Sequence, residues 1–233
     1  MVARQLVRST ALFLVALLLR KVTEEGVWAQ RLLLALAGSL VATTAFAETI
    51  GFDQDPTGAI PAGWTCGVTG RGMPKWAVEA DSTAPSKPNV LKQSGQGTFP
   101  WCARKEVSLA DGFVEVKFKP LEGKEDRAGG VVWRLKDGDN YYVARANALE
   151  GNVSLYHTTR GSRHTIKYVN APVAANQWHT LRVEFAGTRI KVLLDGKQYI
   201  DLDDEHISGA GAVGLWTKAD SVTAFDDFSW DGK

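Results

Sequence analysis

The chain has 233 residues, of which 45% are hydrophobic and 23% are charged, and its formal net charge is +1. These values are typical of one globular domain with a targeting segment. Residues 1–47 hold five basic and two acidic residues, so 22 basic and 24 acidic residues remain, a net charge of −2. This balance argues against a nucleic-acid partner, because phosphates call for a basic face.

The first 47 residues have the features of a targeting region. An apolar run, 32–41, follows Arg31 and precedes the small-x-small pattern Ala45-Phe46-Ala47. This arrangement is typical of a secretory signal peptide cleaved before Glu48, and we place the signal at about residues 27–47. An upstream apolar run, 11–19, is too short to span a membrane, which needs about 20 residues. It indicates that translation starts nearer residue 27, the alternative being an N-terminal membrane anchor.

Residues 48–233 are predicted to form a single exported domain, periplasmic or secreted, with no stable membrane span. Short apolar runs follow one another between turn residues, and no window of helical period exceeds one or two turns. About ten to twelve strands at this spacing are typical of a two-sheet antiparallel sandwich. The region 65–100, rich in proline and glycine, is the least regular part of the pattern.

The clearest pattern is a predicted three-stranded meander over residues 177–201. Apolar side chains alternate with polar ones in two runs, and Asp195-Gly196 then turns the chain. A period of two places alternate side chains on opposite faces of a strand, and Asp-Gly supplies the positive φ angles of a tight hairpin. The inward residues are Leu181, Val183, Phe185, Ile190, Val192 and Leu194.

Both cysteines, Cys66 and Cys102, lie in the predicted domain. An even number of cysteines in an exported protein favours a disulfide bond, here closing a long loop around the Trp- and Pro-rich first third of the domain. Two buried free thiols are the alternative. A metal site is poorly supported, because the four histidines show no ligand spacing around these sulfur atoms.

Several short motifs follow one another in a recognisable order: 178–183 (WHTLRV), 190–192 (IKV), 195–196 (DG), 211–218 (GAVGLWTK) and 225–228 (FDDF). Together they resemble the closing half of a concanavalin A-like jelly-roll sandwich of the lectin and glucanase superfamily. Within that superfamily they are most similar to the 3-keto-disaccharide hydrolase-like, laminarinase-related domains. The resemblance covers residues 129–230 well and 51–118 loosely. It implies an all-β fold and a glycoside-directed function.

Large or charged side chains on central strands that cannot belong to the core must line the open, concave face of such a sheet. Three predicted central strands each have an apolar face that belongs to the core. On their opposite face, alternation places aromatic and basic side chains; the strands are 130–136, 141–146 and 213–218. Aromatic rings stack on sugar rings, and guanidinium groups donate several fixed hydrogen bonds. The alternative is a solvated sheet with Trp216 half-buried under a loop. The predicted ligand-binding residues are Arg134, Tyr141, Arg145, Trp216 and Lys218.

Hydrolysis would require two carboxylates flanking the glycosidic bond. The laminarinase-type Glu-x-Asp-x-x-Glu motif is broken here, because Glu79-Ala80-Asp81 is followed by Ala84 at the second Glu position. The remaining catalytic candidates are Glu115, Glu184 and Asp139, and the favoured interpretation of each is a solvated strand-face or turn residue.

The leading hypothesis is an exported sandwich that binds an oligo- or polysaccharide in a shallow groove and requires no cofactor. A structural calcium ion held by Asp53 with Asp226 or Asp227 is an alternative to ordinary turn hydrogen bonds at those positions. Two other functions stay open. One is hydrolysis of a 3-keto-disaccharide or related glycoside, and the other is a non-catalytic envelope interaction module.

Overall fold

The computed structural model describes residues 47–232, and the predicted signal lies almost wholly outside them. Within this range every regular element is a β-strand, and no helix is present that could cross a membrane. The strands are β1 (Glu48–Ile50), β2 (Thr65–Met73), β3 (Trp76–Ala80), β4 (Asn89–Gln93), β5 (Gln96–Leu109), β6 (Gly112–Glu122), β7 (Ala128–Asp137), β8 (Asn140–Asn147), β9 (Asn152–Thr159), β10 (Ser162–Asn170), β11 (His179–Ala186), β12 (Arg189–Leu194), β13 (Lys197–Asp203), β14 (Gly211–Trp216) and β15 (Val222–Gly232).

The strands form two antiparallel sheets. The eight-stranded sheet has the order β13-β12-β11-β6-β15-β4-β3, with β1 added beside β15. The seven-stranded sheet has the order β10-β9-β8-β7-β14-β5-β2. Consecutive strands such as β7–β10 pair as hairpins, whereas β5 to β6 and β13 to β14 cross between the sheets. The predicted all-β, two-sheet antiparallel sandwich is confirmed.

One core fills the space between the sheets. The predicted meander β11–β13 supplies part of it, because Val183 pairs with Val192 and Phe185 pairs with Ile190, and all four are buried. The seven-stranded sheet contributes Trp133, whose ring stacks on Tyr142 with centroids 5.2 Å apart. Burying each such side chain stabilises the fold by about 2–3 kcal/mol, so this alternation fixes the register of both sheets.

The seven-stranded sheet curls strongly over its outer face, the face that points away from the other sheet. β2 and β8 are four strand positions apart, roughly 19 Å in a flat sheet. Nevertheless Thr69 Oγ1 lies 2.8 Å from the hydroxyl oxygen of Tyr141. A Cβ atom added to Gly161, in the β9–β10 turn, would lie 4.0 Å from the Thr69 methyl group. The outer face is therefore concave, and its two edges approach each other.

This curl creates a second apolar cluster on the outer face. The edge ladder, in which β2 pairs with residues 96–103 of β5, covers it. The cluster consists of Trp101, Ala103, Val132, Leu135, Tyr141, Val143, Tyr156, Ala212 and Trp216, with Phe99 packed against it.

The predicted disulfide joins Cys66 to Cys102, which are direct partners in the edge ladder. The two residues are 36 apart in sequence. Closing a loop of that length lowers the conformational entropy of the unfolded chain. The bond therefore holds β2 against β5 at the point where the sheet curls.

Reduction of this disulfide should lower the free energy of unfolding by about 3–4 kcal/mol, because the unfolded chain regains the freedom of the loop. Denaturant unfolding with and without reductant measures the change. A thiol assay confirms that both sulfur atoms are reduced, and the variant Cys66→Ala/Cys102→Ala, unresponsive to reductant, is the control. Equal stability of the oxidised and reduced protein would contradict a stabilising role.

Candidate functional site

Four of the five predicted ligand-binding residues lie on the outer face of the seven-stranded sheet. Tyr141 and Arg145 project from β8, Trp216 ends β14 and Lys218 follows it. The indole Nε1 of Trp216 donates to the Tyr141 hydroxyl at 3.4 Å. Arg145 and Lys218 both reach one carboxylate, that of Asp126. Alternation therefore predicted the shared face of these four residues.

The expectation that Arg134 shares this face is wrong. A bulge interrupts the β7–β8 pairing between Trp133 and Asp137, and Arg134 has a left-handed φ of 46°. Its guanidinium lies over the ring of Phe185, which belongs to the other sheet. It donates to the carbonyl oxygens of Ala110, Gly187 and Ile207 at 2.7–3.1 Å. Arg134 therefore joins three loops at one end of the sandwich.

The expectation that Trp216 and Tyr141 line an open groove is also wrong, because both side chains are fully buried. Phe99 from the edge ladder stacks on Trp216 with ring centroids 5.6 Å apart, and Thr69 bonds to Tyr141. The covering residues come from 65–100, whose irregular pattern gave no indication that this segment folds over the sheet. Trp216 and Tyr141 thus form the floor beneath the ladder.

Trp216→Ala should lower the free energy of unfolding by about 3–5 kcal/mol, because it leaves a large cavity in the second apolar cluster. Tyr168→Ala is the matched control, since the Tyr168 side chain is 48% exposed on the same sheet. Its effect should stay below about 1 kcal/mol. Thermal denaturation of both variants provides the comparison. Equal melting temperatures for Trp216→Ala and the parent protein would show that the ladder does not cover this ring in solution.

A charge cluster of Asp126, Arg145, Glu150 and Lys218 lies at one end of the outer face. The fully buried Asp126 carboxylate accepts from Arg145 at 2.9 Å and from Lys218 at 2.8 Å, and from Asn147 at 3.0 Å. Arg145 also pairs with Glu150 at 2.6 Å. Buried charges need such partners, so the cluster is a preorganised set of donors and acceptors.

Glu150 is the exposed member of this cluster. Burial raises its pKa, but the hydrogen bond from Asn152 and the charge of Arg145 outweigh that effect and hold the pKa below its usual value. Asn152 also donates to the hydroxyl of Tyr168 at 2.8 Å. An exposed aromatic ring therefore stands beside the charge cluster. No sequence pattern indicated Asp126, Glu150, Asn152 and Tyr168, because only the fold brings two turns and two strands together here.

An open cleft adjoins the other side of the charge cluster. Its volume is about 860 Å³, and Lys218 belongs to both the cleft and the cluster. Its walls combine apolar side chains, including Met73 at 86% exposure, with polar and charged ones. The lining residues are Arg71, Gly72, Met73, Gln96, Gly97, Thr98, Phe99, Glu125, Lys218 and Ala219.

The three catalytic candidates do not come together. Glu115 and Glu184 lie on the eight-stranded sheet, where Arg182 bonds to both, at 3.4 Å and 2.9 Å respectively. Asp139 lies in the turn between β7 and β8, on the other sheet. The two glutamates therefore share one surface and one cation. They lie on a different sheet from Asp139 and from the strands β2 and β5 that line the cleft.

The three calcium candidates all bond to donors of the protein itself. Asp53 accepts from the amide of Asn89 at 3.0 Å, and Asp227 pairs with Lys117 at 2.7 Å. Asp226 is buried and accepts from the amide and hydroxyl of Ser86. Among residues 47–232 no three carboxylate, histidine or cysteine side chains are arranged to hold a metal ion. Calcium binding at this end stays a prediction.

Burial raises the pKa of Asp226 to about 6, despite the hydrogen bonds from Ser86 that act in the opposite direction. The folded-state pKa exceeds that of the unfolded chain, near 3.9. The native state is therefore favoured at low pH, and about 2–3 kcal/mol is lost as the pH rises through 4 to 6.

Asp226→Asn should remove this loss and flatten the pH dependence of stability between pH 4 and 7. Chemical denaturation across that range measures the slope. Asp139→Asn, a change at an exposed carboxylate, is the control and should leave the slope unaltered. An Asp226→Asn variant with the slope of the parent protein would assign the pH dependence to other groups.

Three histidines form a stack that no motif indicated. The ring centroids of His157 and His206 lie 3.9 Å apart, and those of His157 and His164 lie 4.8 Å apart. Burial and the neighbouring imidazoles lower the pKa of His157. His206 also bonds to Asp204, which accepts from Tyr142. The stack joins the β13–β14 connection to β9 and β10.

Two comparisons of the sequence with known proteins identify similar proteins. A family model described as 3-keto-alpha-glucoside-1,2-lyase-like domain matches residues 61–229. Levanase of Bacillus subtilis (strain 168) is 29% identical over 97 residues, which make up 41% of this chain and 14% of levanase. The match thus spans only a small part of that enzyme.

Two solved structures share the architecture. The carbohydrate binding module CBM66 from Bacillus subtilis superposes with a TM-score of 0.58 at 23% identity, covering 71% of this chain and 93% of the module. Bacillus licheniformis beta-glucanase gives a TM-score of 0.53 at 17% identity, covering 82% of this chain and 99% of the glucanase. The expected concanavalin A-like jelly roll is confirmed.

Proposed function

Because the chain belongs to the family of 3-keto-alpha-glucoside-1,2-lyase-like domains, we propose that it is an exported carbohydrate-binding sandwich. The proposed ligand is an oligo- or polysaccharide, held on the outer face of the seven-stranded sheet between Tyr168 and the open cleft. The names of two similar proteins, a levanase and a carbohydrate binding module, support a saccharide as the ligand.

One observation carries the proposal, namely the continuity of an exposed aromatic ring, a charge cluster and an open cleft. Tyr168 offers an apolar face on which a sugar ring stacks. Glu150 and Lys218 offer an acceptor and a donor at the surface. The buried side chains of Asn152, Arg145 and Asp126 hold these two groups in place. Saccharide hydroxyl groups both donate and accept, so a preorganised mixture of this kind suits them better than a surface of one charge.

The chemistry of Glu150 favours binding over hydrolysis. A general acid acting near neutral pH needs a raised pKa, whereas hydrogen bonding and Arg145 lower that of Glu150 despite its partial burial. Asp126 is buried and paired with two cations. The enzymatic alternative, acting on a 3-keto-disaccharide or related glycoside, rests on the description of the family.

Tyr168→Ala and Lys218→Met should each weaken saccharide binding about tenfold, because one removes the stacking surface and the other a donor of the cleft. Titration calorimetry against neutral and acidic oligosaccharides provides the affinities. Lys117→Met is the matched control for Lys218→Met, since Lys117 also pairs with an aspartate, Asp227, but on the other sheet.

Three outcomes separate the candidate functions. Binding that both site variants weaken and the control leaves unchanged supports the proposal. A folded protein that binds no saccharide in the panel contradicts it and favours the envelope interaction module. Turnover of a 3-keto-disaccharide that Glu150→Gln abolishes would instead establish the enzyme.

A further inference from the structure

Arg163 of β10 is a mostly buried cation without an anionic partner among residues 47–232. Its Nη1 atom is buried and has no hydrogen-bond partner. The neighbouring Arg145, by contrast, pairs with both Asp126 and Glu150. Buried polar groups are almost always hydrogen-bonded, and a buried charge without a counter-charge is costly. This guanidinium therefore needs an explanation beyond packing.

Three aromatic rings surround the Arg163 guanidinium. Its central carbon lies 4.2 Å from the ring centroid of Tyr156, 4.7 Å from that of Phe99 and 5.7 Å from that of Trp216. Cation–π attraction to these rings offsets part of the desolvation cost. The Arg163 side chain is partly exposed, and its guanidinium donates no hydrogen bond to residues 47–232. Its N–H groups other than the enclosed Nη1 therefore keep the capacity for a ligand.

The surrounding charges leave one positive charge in excess. Arg145 and Lys218 are balanced by Asp126 and Glu150, and Arg163 has no such balance. Arg145 lies 5.6 Å from the ring of Tyr156 that Arg163 also covers, so the two guanidinium groups share one aromatic neighbour. Phe99, beside Arg163, also lines the open cleft. Arg163 does not line the cleft itself, so an anionic group would reach this uncompensated cation at the edge of the cleft, next to the ring of Phe99.

We propose that the saccharide held at this site carries a carboxylate, as in an oligouronate, and that Arg163 binds this group. The inference rests on the proposed carbohydrate-binding function and specifies its ligand class. A planar guanidinium matches a carboxylate with two parallel N–H···O bonds, whereas a neutral hydroxyl group leaves the excess charge unbalanced.

The test compares oligogalacturonate, oligoglucuronate and oligomannuronate with their carboxyl-reduced, neutral counterparts by titration calorimetry at low and high salt. The parent protein should bind at least one uronate about tenfold more tightly than its neutral counterpart. The preference should shrink as salt is added. It should disappear in Arg163→Met, which keeps apolar contact with the three rings.

Two further variants separate recognition from packing. Lys167→Met removes an exposed cation from the same strand, opposite the inward residue Leu155, and should retain the preference. Arg163→Lys keeps the charge without the planar fork and should give an intermediate preference. If Arg163→Met does not fold, the reduced preference of Arg163→Lys still tests the inference.

The outcomes distinguish this inference from the proposed function. Equal affinity for every uronate and its neutral counterpart would overturn the role of Arg163 and leave carbohydrate binding intact. A lower melting temperature of Arg163→Met with an unchanged preference would make Arg163 a structural residue and overturn the inference. Absence of binding to any saccharide, with the protein folded, would overturn both.

Discussion

The curl of the seven-stranded sheet is the constraint on which the site depends. The contact between Thr69 and Tyr141 joins strands that a flat sheet would hold far apart, and the Cys66–Cys102 bond keeps the covering ladder in place. Curvature makes the outer face concave, with buried aromatic side chains at its base. At the rim of this face, Glu150 of the charge cluster and Tyr168 face solvent, whereas Asp126 and Arg145 lie buried beneath them.

Alternation was a good guide wherever strands run without interruption. It predicted the meander of β11–β13 and the separation of Tyr141 and Arg145 from Tyr142, because burial on one face fixes the register of each strand. It failed at Arg134, where a bulge reverses the side-chain direction. From Trp133 to Asp137, β7 advances four residues while β8 advances two. The polarity pattern of this segment nevertheless resembles that of a regular strand, so the sequence carries little sign of the bulge.

The site itself was only partly predictable. The placement of Arg145 and Lys218 on the outer face could be predicted from strand register. Their shared partner Asp126 could not, because it lies in the turn before β7, where the sequence has no periodic pattern. The burial of Trp216 depends on Phe99, in the region least regular in sequence. Contacts between elements distant in sequence require the topology, and an antiparallel sandwich with crossovers makes many such contacts.

Arg134, misplaced by the sequence pattern, has a consequence for how the molecule assembles and opens. Its carbonyl partners are 24, 53 and 73 residues away along the chain. They belong to three connections: β5–β6, β11–β12 and β13–β14. Removing water from this guanidinium is costly unless all three connections supply their carbonyl oxygens, because its ion-pair partner Asp111, at 3.6 Å, is itself half exposed. One side chain thus couples the three connections energetically, because detaching any one of them removes an acceptor on which the buried charge depends.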